Sequence, residues 1–461
     1  MLSRNQLSEV LQTALQEGGD FAEIYIERKM TSGITCEANK IERVVSGGEN
    51  GAGVRVINGD NTMYAFTNDI TLNGLNKIAE AVSKAVKNQK KSLSINLIEV
   101  KPELKFPILK RPEQVKIDDK VEIVQRCDQY AREVDSRIKQ VTVSYGDVVQ
   151  NITIANSLGN FVEDERIRTR LVVNAIAVDK GNIQTGYESM GGFSGFEYFD
   201  KHDPAKLAKE AAQRAISMLS AKPAPAGKMP VVMAGEAGGT MVHEACGHGL
   251  EADLVQKKLS VYAGKKGQEV ASKLVTVVDD ATLQGKYGSF RFDDEGMKAQ
   301  KTVLIKDGIL EDYMYDRLTA KKDGKESTGN GRRESYQNRP ITRMTNTYIA
   351  SGKMIPDEII KSTSKGLLVK KMGGGQVNTT TGDFVFDVTE GYLIKDGQVA
   401  EAVKGATLTG NGPNSLKMVD MIGNDLGFGI GVCGKDGQGV PVTDAQPTLR
   451  IPELIVGGLL D

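Results

Sequence analysis

Apolar and polar residues alternate along the first half of this chain in two similar passes. Ser3 and Gln6 form a capping box ahead of a helix whose apolar positions are Leu7, Val10, Leu11, Ala14 and Leu15. Gly18-Gly19-Asp20 stops it. Four strand-like runs follow, FAEIYIERK, SGITCEANKIERVV, GAGVRVI and TMYAF, each with the period of two expected of a half-buried strand. A second helix carries Leu75, Ile78, Ala79, Val82 and Val86. After the charged, proline-containing stretch KPELKFPILKRPEQ comes another helix with Ile117, Val121, Val124 and Ala131. The strands VTVSYGDV, VQNITIANS and TRLVVNAIAVD succeed it. Asp203-Pro204 then caps a helix bearing Leu207, Ala211, Ala215 and Leu219. Low identity between the passes leaves duplication and mere recurrence as alternatives.

Lys222-Pro223-Ala224-Pro225-Ala226-Gly227 has the composition of a linker. Beyond it an apolar strand, MPVVMAG, leads into Gly238-Gly239 and a helix. After Lys273 the chain is rich in strands, and Asp307-Gly308 and Asp396-Gly397 predict tight hairpins. The predicted fold class is α+β. A helix and antiparallel-sheet domain is expected over residues 1–222, and a β-rich domain carrying the helix over 228–461.

The chain has 461 residues with 59 basic and 60 acidic side chains, a balance that argues against a dedicated nucleic-acid or membrane-surface protein. No run of apolar residues is long enough to span a bilayer, and the polar first residues do not read as a signal peptide. Four widely spaced cysteines, Cys36, Cys127, Cys246 and Cys433, form no disulfide-like framework, which points to a cytoplasmic protein with reduced thiols.

Only three histidines are present, and two of them fall in His243-Glu244-Ala245-Cys246-Gly247-His248. Imidazole is a common metal ligand, and an adjacent carboxylate can take a proton from water. In the familiar zincin pattern the histidines are four apart and share a helix face. Five apart, they diverge by about 140° on a regular helix. One metal can take both only if the helix is distorted or ends between them, and Gly247 and Gly249 permit such a break. A third ligand is needed. His202, in a helix-start context, reads as a solvated surface residue. Cys246 lies midway between the histidines. Cys433, in a glycine-flanked loop, reads equally as a zinc thiolate or a small buried hydrophobe. The pair Arg332-Arg333 reads either as a carboxylate or phosphate binder or as a solvated loop pair.

MVHEACGHGLEAD and the following GQEVASKLVTVVDD closely resemble the TldD branch of the TldD/PmbA peptidases. The similarity continues through DDEG, TGNGRRESY, RMTNTYI, GGGQV, KGATLTGNG, GNDLGFGIGVCGKDGQGVPV and QPTLR, and so covers essentially the whole chain. The resemblance implies a zinc metallopeptidase of the HExxxH type acting on unfolded or unstructured peptides. It implies zinc ligation by His243, His248 and Cys433, with Glu244 as the catalytic glutamate. It also implies a dimer, either of identical chains or with a PmbA/TldE-like subunit lacking the motif. Two alternatives stand beside it. One is a non-catalytic peptide-binding scaffold with a structural zinc closed by Cys246 or His202. The other is a nucleic-acid-associated regulator of the gyrase-modulator type, against which the balanced charge counts.

Overall fold

The computed structural model describes residues 2–86 and 94–458. Ser3 and Gln6 make the expected reciprocal cap on the helix Arg4–Ala14, whose Leu7, Val10, Leu11 and Ala14 are buried. That face packs with the helix Leu72–Lys84 and with Ile24, Val54 and Val56 of the strands. The second pass repeats the arrangement. Helices Ile117–Arg132 and Pro204–Leu219 bury Val124, Ala131, Leu207 and Ala211 against Val141, Val143, Leu171 and Val173. All the strands of both passes join one seven-stranded sheet, linked by the antiparallel pairing of Phe21–Glu37 with Ile138–Asn156. With its helices packed on antiparallel sheets, the protein is α+β.

The four runs expected between Phe21 and Phe66 are three strands, Phe21–Glu37, Lys40–Asn58 and Asn61–Thr67. The turn lies inside SGITCEANKIERVV, where Ala38 and Asn39 take φ of 49° and 58°. Those values suit a two-residue hairpin turn, but alanine does not advertise one. VTVSYGDV and VQNITIANS are likewise one strand, Ile138–Asn156. Asp147 continues that strand, accepting bonds from Lys120 Nζ (2.7 Å), Ser32 Oγ and Tyr145 OH (both 2.6 Å).

In the second half, Lys222 and Pro223 are part of a sheet, pairing in parallel with Val403 and Lys404. The expected linker thus starts as a short edge strand, where a proline without an N–H is tolerated. In the eight-stranded sheet, five strands close a ring: Lys365–Val377, Gly227–Met233, Leu449–Gly457, Thr407–Asn411 and Asp383–Lys395, which returns to Lys365–Val377. Both expected Asp-Gly hairpins form, with φ of 47° and 85° at Asp307-Gly308 and 50° and 73° at Asp396-Gly397. A six-stranded sheet ends on the hairpin of Gly427–Lys435 and Gln438–Gln446, with Gly427–Lys435 as its outer strand.

Arg332 and Arg333 are not solvated. Arg332 donates to the carbonyls of Met344 and Pro441. Arg333 bonds the carboxylate of Glu23 from the first sheet. Glu23 also receives Arg55, which reaches on to Glu295, while Arg166 pairs with Asp294. The two halves thus meet across a buried network of paired charges.

Candidate metal centre

The problem posed by the five-residue spacing is solved in the backbone. Thr240–Val242 is an ordinary helical turn, and then the His248 N–H donates to the His243 carbonyl, five residues back. This single π-helical turn stacks residues five apart on one face, as an α-turn stacks those four apart. Widening the turn frees a carbonyl, that of Ala245, which accepts a hydrogen bond from Tyr262 OH at 3.0 Å. The glycines serve a different purpose from the one expected. Gly247 has helical angles, φ −52° and ψ −59°. A Cβ there would lie 2.3 Å from Met344 Sδ, and one at Gly249 would lie 2.7 Å from the Tyr262 ring. Close packing around the turn requires them, not backbone freedom.

The outer hairpin brings in the remaining groups. Residues directly opposite across an antiparallel pair share a face. Gly429 pairs with Asp444, Gly431 with Val442 and Cys433 with Val440, so Cys433 and Asp444 face the same side. Cys433 Sγ lies 3.2 Å from His243 Nε2 and 3.5 Å from His248 Nε2. The three donor atoms fall within 4.8 Å of one another. On the far side of each ring a carboxylate fixes Nδ1: Asp444 Oδ1 at 2.7 Å from His243, and Glu251 Oε2 at 3.1 Å from His248. Such pairing sets the tautomer and aims Nε2 at a metal. Lys435 Nζ in turn bonds Glu251 at 3.0 Å and Asp253 at 2.6 Å.

The charges favour a ligating set. Burial would raise the Cys433 thiol pKa, but the two histidines bring it down to about 5, so it is a thiolate at neutral pH. Burial works against charge on both rings as well. Asp444 nevertheless holds His243 well above its ordinary value, and Glu251 holds His248 at about 9. Glu251 is fully buried, which alone would raise its pKa, yet Lys435 and His248 keep it ionised, at about 2. A metal ion bound here would take the place of the two Nε2 protons, leaving two imidazoles and one thiolate as donors, a set whose chemistry suits zinc with a further position open.

Glu244 lines the same cavity of about 180 Å³. Burial raises its pKa, with His243 and His248 opposing. Cys246 lies elsewhere: it is buried in the core, donates to the Val242 carbonyl at 3.3 Å, and burial pushes its thiol up to about 12. His202 is exposed, stacked on Tyr198 with ring centroids 4.2 Å apart, away from the donor cluster. Neither stands where it could close a fourth position.

Residues 226–458 match the C-terminal domain of the PmbA/TldA metallopeptidases, 110–219 the central domain, and 22–88 domain 1. A Haemophilus influenzae protein called metalloprotease TldD homolog is 38% identical over 99% of this chain and 97% of its own length. The chain belongs to the PmbA/TldD metallopeptidase family. A Methanocaldococcus jannaschii metalloprotease is 39% identical over 95% of this chain and 97% of that one. A Saccharolobus solfataricus relative, 25% identical over 97% and 99% of the two chains, carries the name zinc metalloprotease TldD homolog. Among solved structures, TldE from Thermococcus kodakarensis superposes with a TM-score of 0.80 over 98% of this chain and 100% of its own. At 19% identity that likeness speaks for the fold.

The site also contains residues that sequence reasoning did not single out: Asp444 and Glu251 against the two rings, and Lys435 behind Glu251. Glu251 stood in view, three residues after His248. Asp444 and Lys435 carry no local pattern, and only the hairpin register reveals them.

Proposed function

We propose that this chain is a zinc-dependent peptidase that hydrolyses unfolded or unstructured peptides. His243, His248 and Cys433 would hold the zinc and Glu244 would act as general base. The observation that carries this reading is the convergence of the three donors and Glu244 on one small cavity beside an outer strand. Zinc bound there would supply Lewis acidity to polarise the scissile carbonyl and activate water. Glu244, its proton affinity raised by burial, is suited to take the water proton and pass it to the leaving amine. Asp444 and Glu251 hold the rings still while this happens.

The outer strand suggests how a peptide is held. Gly429 and Gly431 share the face of Cys433, and a Cβ at either would meet nothing closer than 3.6 Å. Packing does not demand glycine there, and an extended chain paired to the edge of this strand would pass the metal side without a protruding side chain in its way. The GGGQV segment is bonded on one side to Asp383–Lys395 in a bulged hairpin. Edge pairing reads backbone rather than side chains, which accords with broad cleavage of unfolded substrates.

As a member of this family, the chain is proposed to pair with a PmbA/TldE-like subunit, with a homodimer as the other arrangement. We retain the division at residues 1–222 and 228–461 as two domains. No helix among the described residues is long and apolar enough to cross a membrane, and four unpaired thiols suit a reducing compartment such as the cytoplasm. Nothing in the site favours the scaffold or nucleic-acid alternative.

Glu244→Gln should keep the metal and the fold, yet lose hydrolysis of an unstructured peptide by at least about a hundredfold, the usual scale for removing a general base. Full activity in that variant would end the mechanism. Substrate choice is tested with one ligand-stabilised protein, digested with and without its ligand at the same zinc and salt. The ligand-free form should be cut faster in proportion to its unfolded population. Equal rates would count against selection for unfolded chains.

A further inference from the structure

The hairpin that carries Cys433 has a second face, and a cavity of about 500 Å³ opens on it. Phe428 and Ile430 of the outer strand, with Thr443 opposite Ile430, line this cavity. Gly431, Cys433, Val442 and Asp444 line the metal side. The two sites therefore lie on opposite faces of one strand, offset by the distance from Cys433 back to Ile430 and Phe428. At about 3.3 Å per residue that is roughly 10–16 Å. A peptide paired to this edge projects its side chains to the two faces alternately. Side chains on one face pass the metal, and those on the other meet this cavity.

The cavity is built for an anion. The Lys286 ammonium sits 3.3 Å from the centre of the Phe428 ring and makes no ion pair among the described residues. It is half-buried, and burial lowers its pKa, as for a cation that has lost water without gaining a counter-charge. Lys201 stands at the exposed rim. Behind the wall, Arg168 is buried against Phe193 and spends its guanidinium on the carbonyls of Tyr287 and Ser289 rather than on a carboxylate. The acidic residue of the lining, Glu197, is already occupied by the Lys110 and Gly195 N–H groups and the Ser194 hydroxyl. An excess of positive charge thus faces an apolar, aromatic-walled space.

We propose that this cavity is a carboxylate-reading subsite of the peptide groove, in which Lys286 binds a substrate carboxylate about three to five residues from the scissile bond. The carboxylate comes from an Asp or Glu side chain or from a free C-terminus. This rests on the peptidase reading above, and it adds a preference to an otherwise sequence-tolerant groove.

The test uses N-acetylated, C-terminally amidated peptides of neutral residues with one Glu placed at successive positions, digested by the zinc-loaded protein and mapped by mass spectrometry. Cleavage should move with the Glu at a constant spacing, and a free C-terminal acid in a peptide lacking Glu should phase cleavage to the end. Lys286→Gln should abolish the phasing and Lys286→Arg should keep it. Cuts independent of the Glu, or phasing that survives Lys286→Gln, would overturn the proposal. Binding separates this inference from the catalytic one. Fluorescein-labelled Glu and Gln peptides added to the Glu244→Gln protein should differ in Kd by about tenfold, the scale of a hydrogen bond to a charged group. Equal Kd values reject the subsite. A tenfold difference beside a wild type that cleaves nothing, alone or with a PmbA/TldE-like subunit, would uphold the subsite and reject the peptidase reading.

Discussion

Replacing any one of His243, His248 or Cys433 with alanine should strip most of the tightly bound zinc, expected at about one per chain, and abolish hydrolysis. Each supplies one of three donor atoms gathered within 4.8 Å, and a site of three protein ligands cannot spare one. The effect should exceed that of any orienting group. Losing Asp444 or Glu251, which hold the rings through Nδ1, should weaken metal binding by about 10–100-fold, the cost of such partners elsewhere. Cys246→Ala should change little, because its thiol is turned to the Val242 carbonyl, and His202→Ala should keep the metal as well. Zinc content of purified protein by atomic emission gives the answer. If Cys246→Ala loses the metal while Cys433→Ala keeps it, the third ligand has been misassigned.

What could be read in advance divides along a physical line. Periodicity located the helices Arg4–Ala14, Ile117–Arg132 and Pro204–Leu219, because each buries one stripe and carries its signals locally. The five-residue spacing of His243 and His248 announced a distorted helix, and the distortion is a π turn. Its cause was less visible. Gly247 is fixed by Met344, which is distant in sequence, and no local rule reports a contact of that kind. Asp444 belongs to the same class, since its position over His243 follows from the register of a hairpin that closes 201 residues away. The hairpin at Ala38-Asn39 was missed for the opposite reason, a local geometry held by residues with no strong preference for it. The resemblance to the family put Cys433 forward as a candidate ligand, where spacing alone left it balanced against a core residue, and the structure places its Sγ beside both histidines.

Arg333→Met should destabilise the protein by about 3–5 kcal/mol, the cost of breaking a buried ion pair from one side. Arg333 is fully buried between the two halves, stacked 4.2 Å over the Tyr25 ring, and bonded to Glu23 and the Asp294 carbonyl. Its loss leaves Glu23 with Arg55 alone, and Arg55 is shared with Glu295. The same contact carries a pH signature. Burial would raise the Glu23 pKa, but Arg55 and Arg333 outweigh it and hold the carboxyl below its ordinary value. A depressed folded-state pKa contributes stability that is present above the unfolded pKa, about 4.3 for Glu, and is lost as pH falls through the folded value. The gap between wild type and Arg333→Met should therefore be widest near neutrality and narrow below about pH 4.3. Comparing the two proteins cancels neighbouring carboxyls that titrate the other way, such as Asp316, which burial raises to about 6. Urea unfolding followed by tyrosine fluorescence is suitable, since the chain has 13 tyrosines and no tryptophan. A neutral-pH difference below about 1 kcal/mol would mean that Arg333 behaves like an exposed pair, where values of that size are usual. Glu23→Gln added to Arg333→Met should recover part of the loss, because it removes the carboxylate that the first change strands.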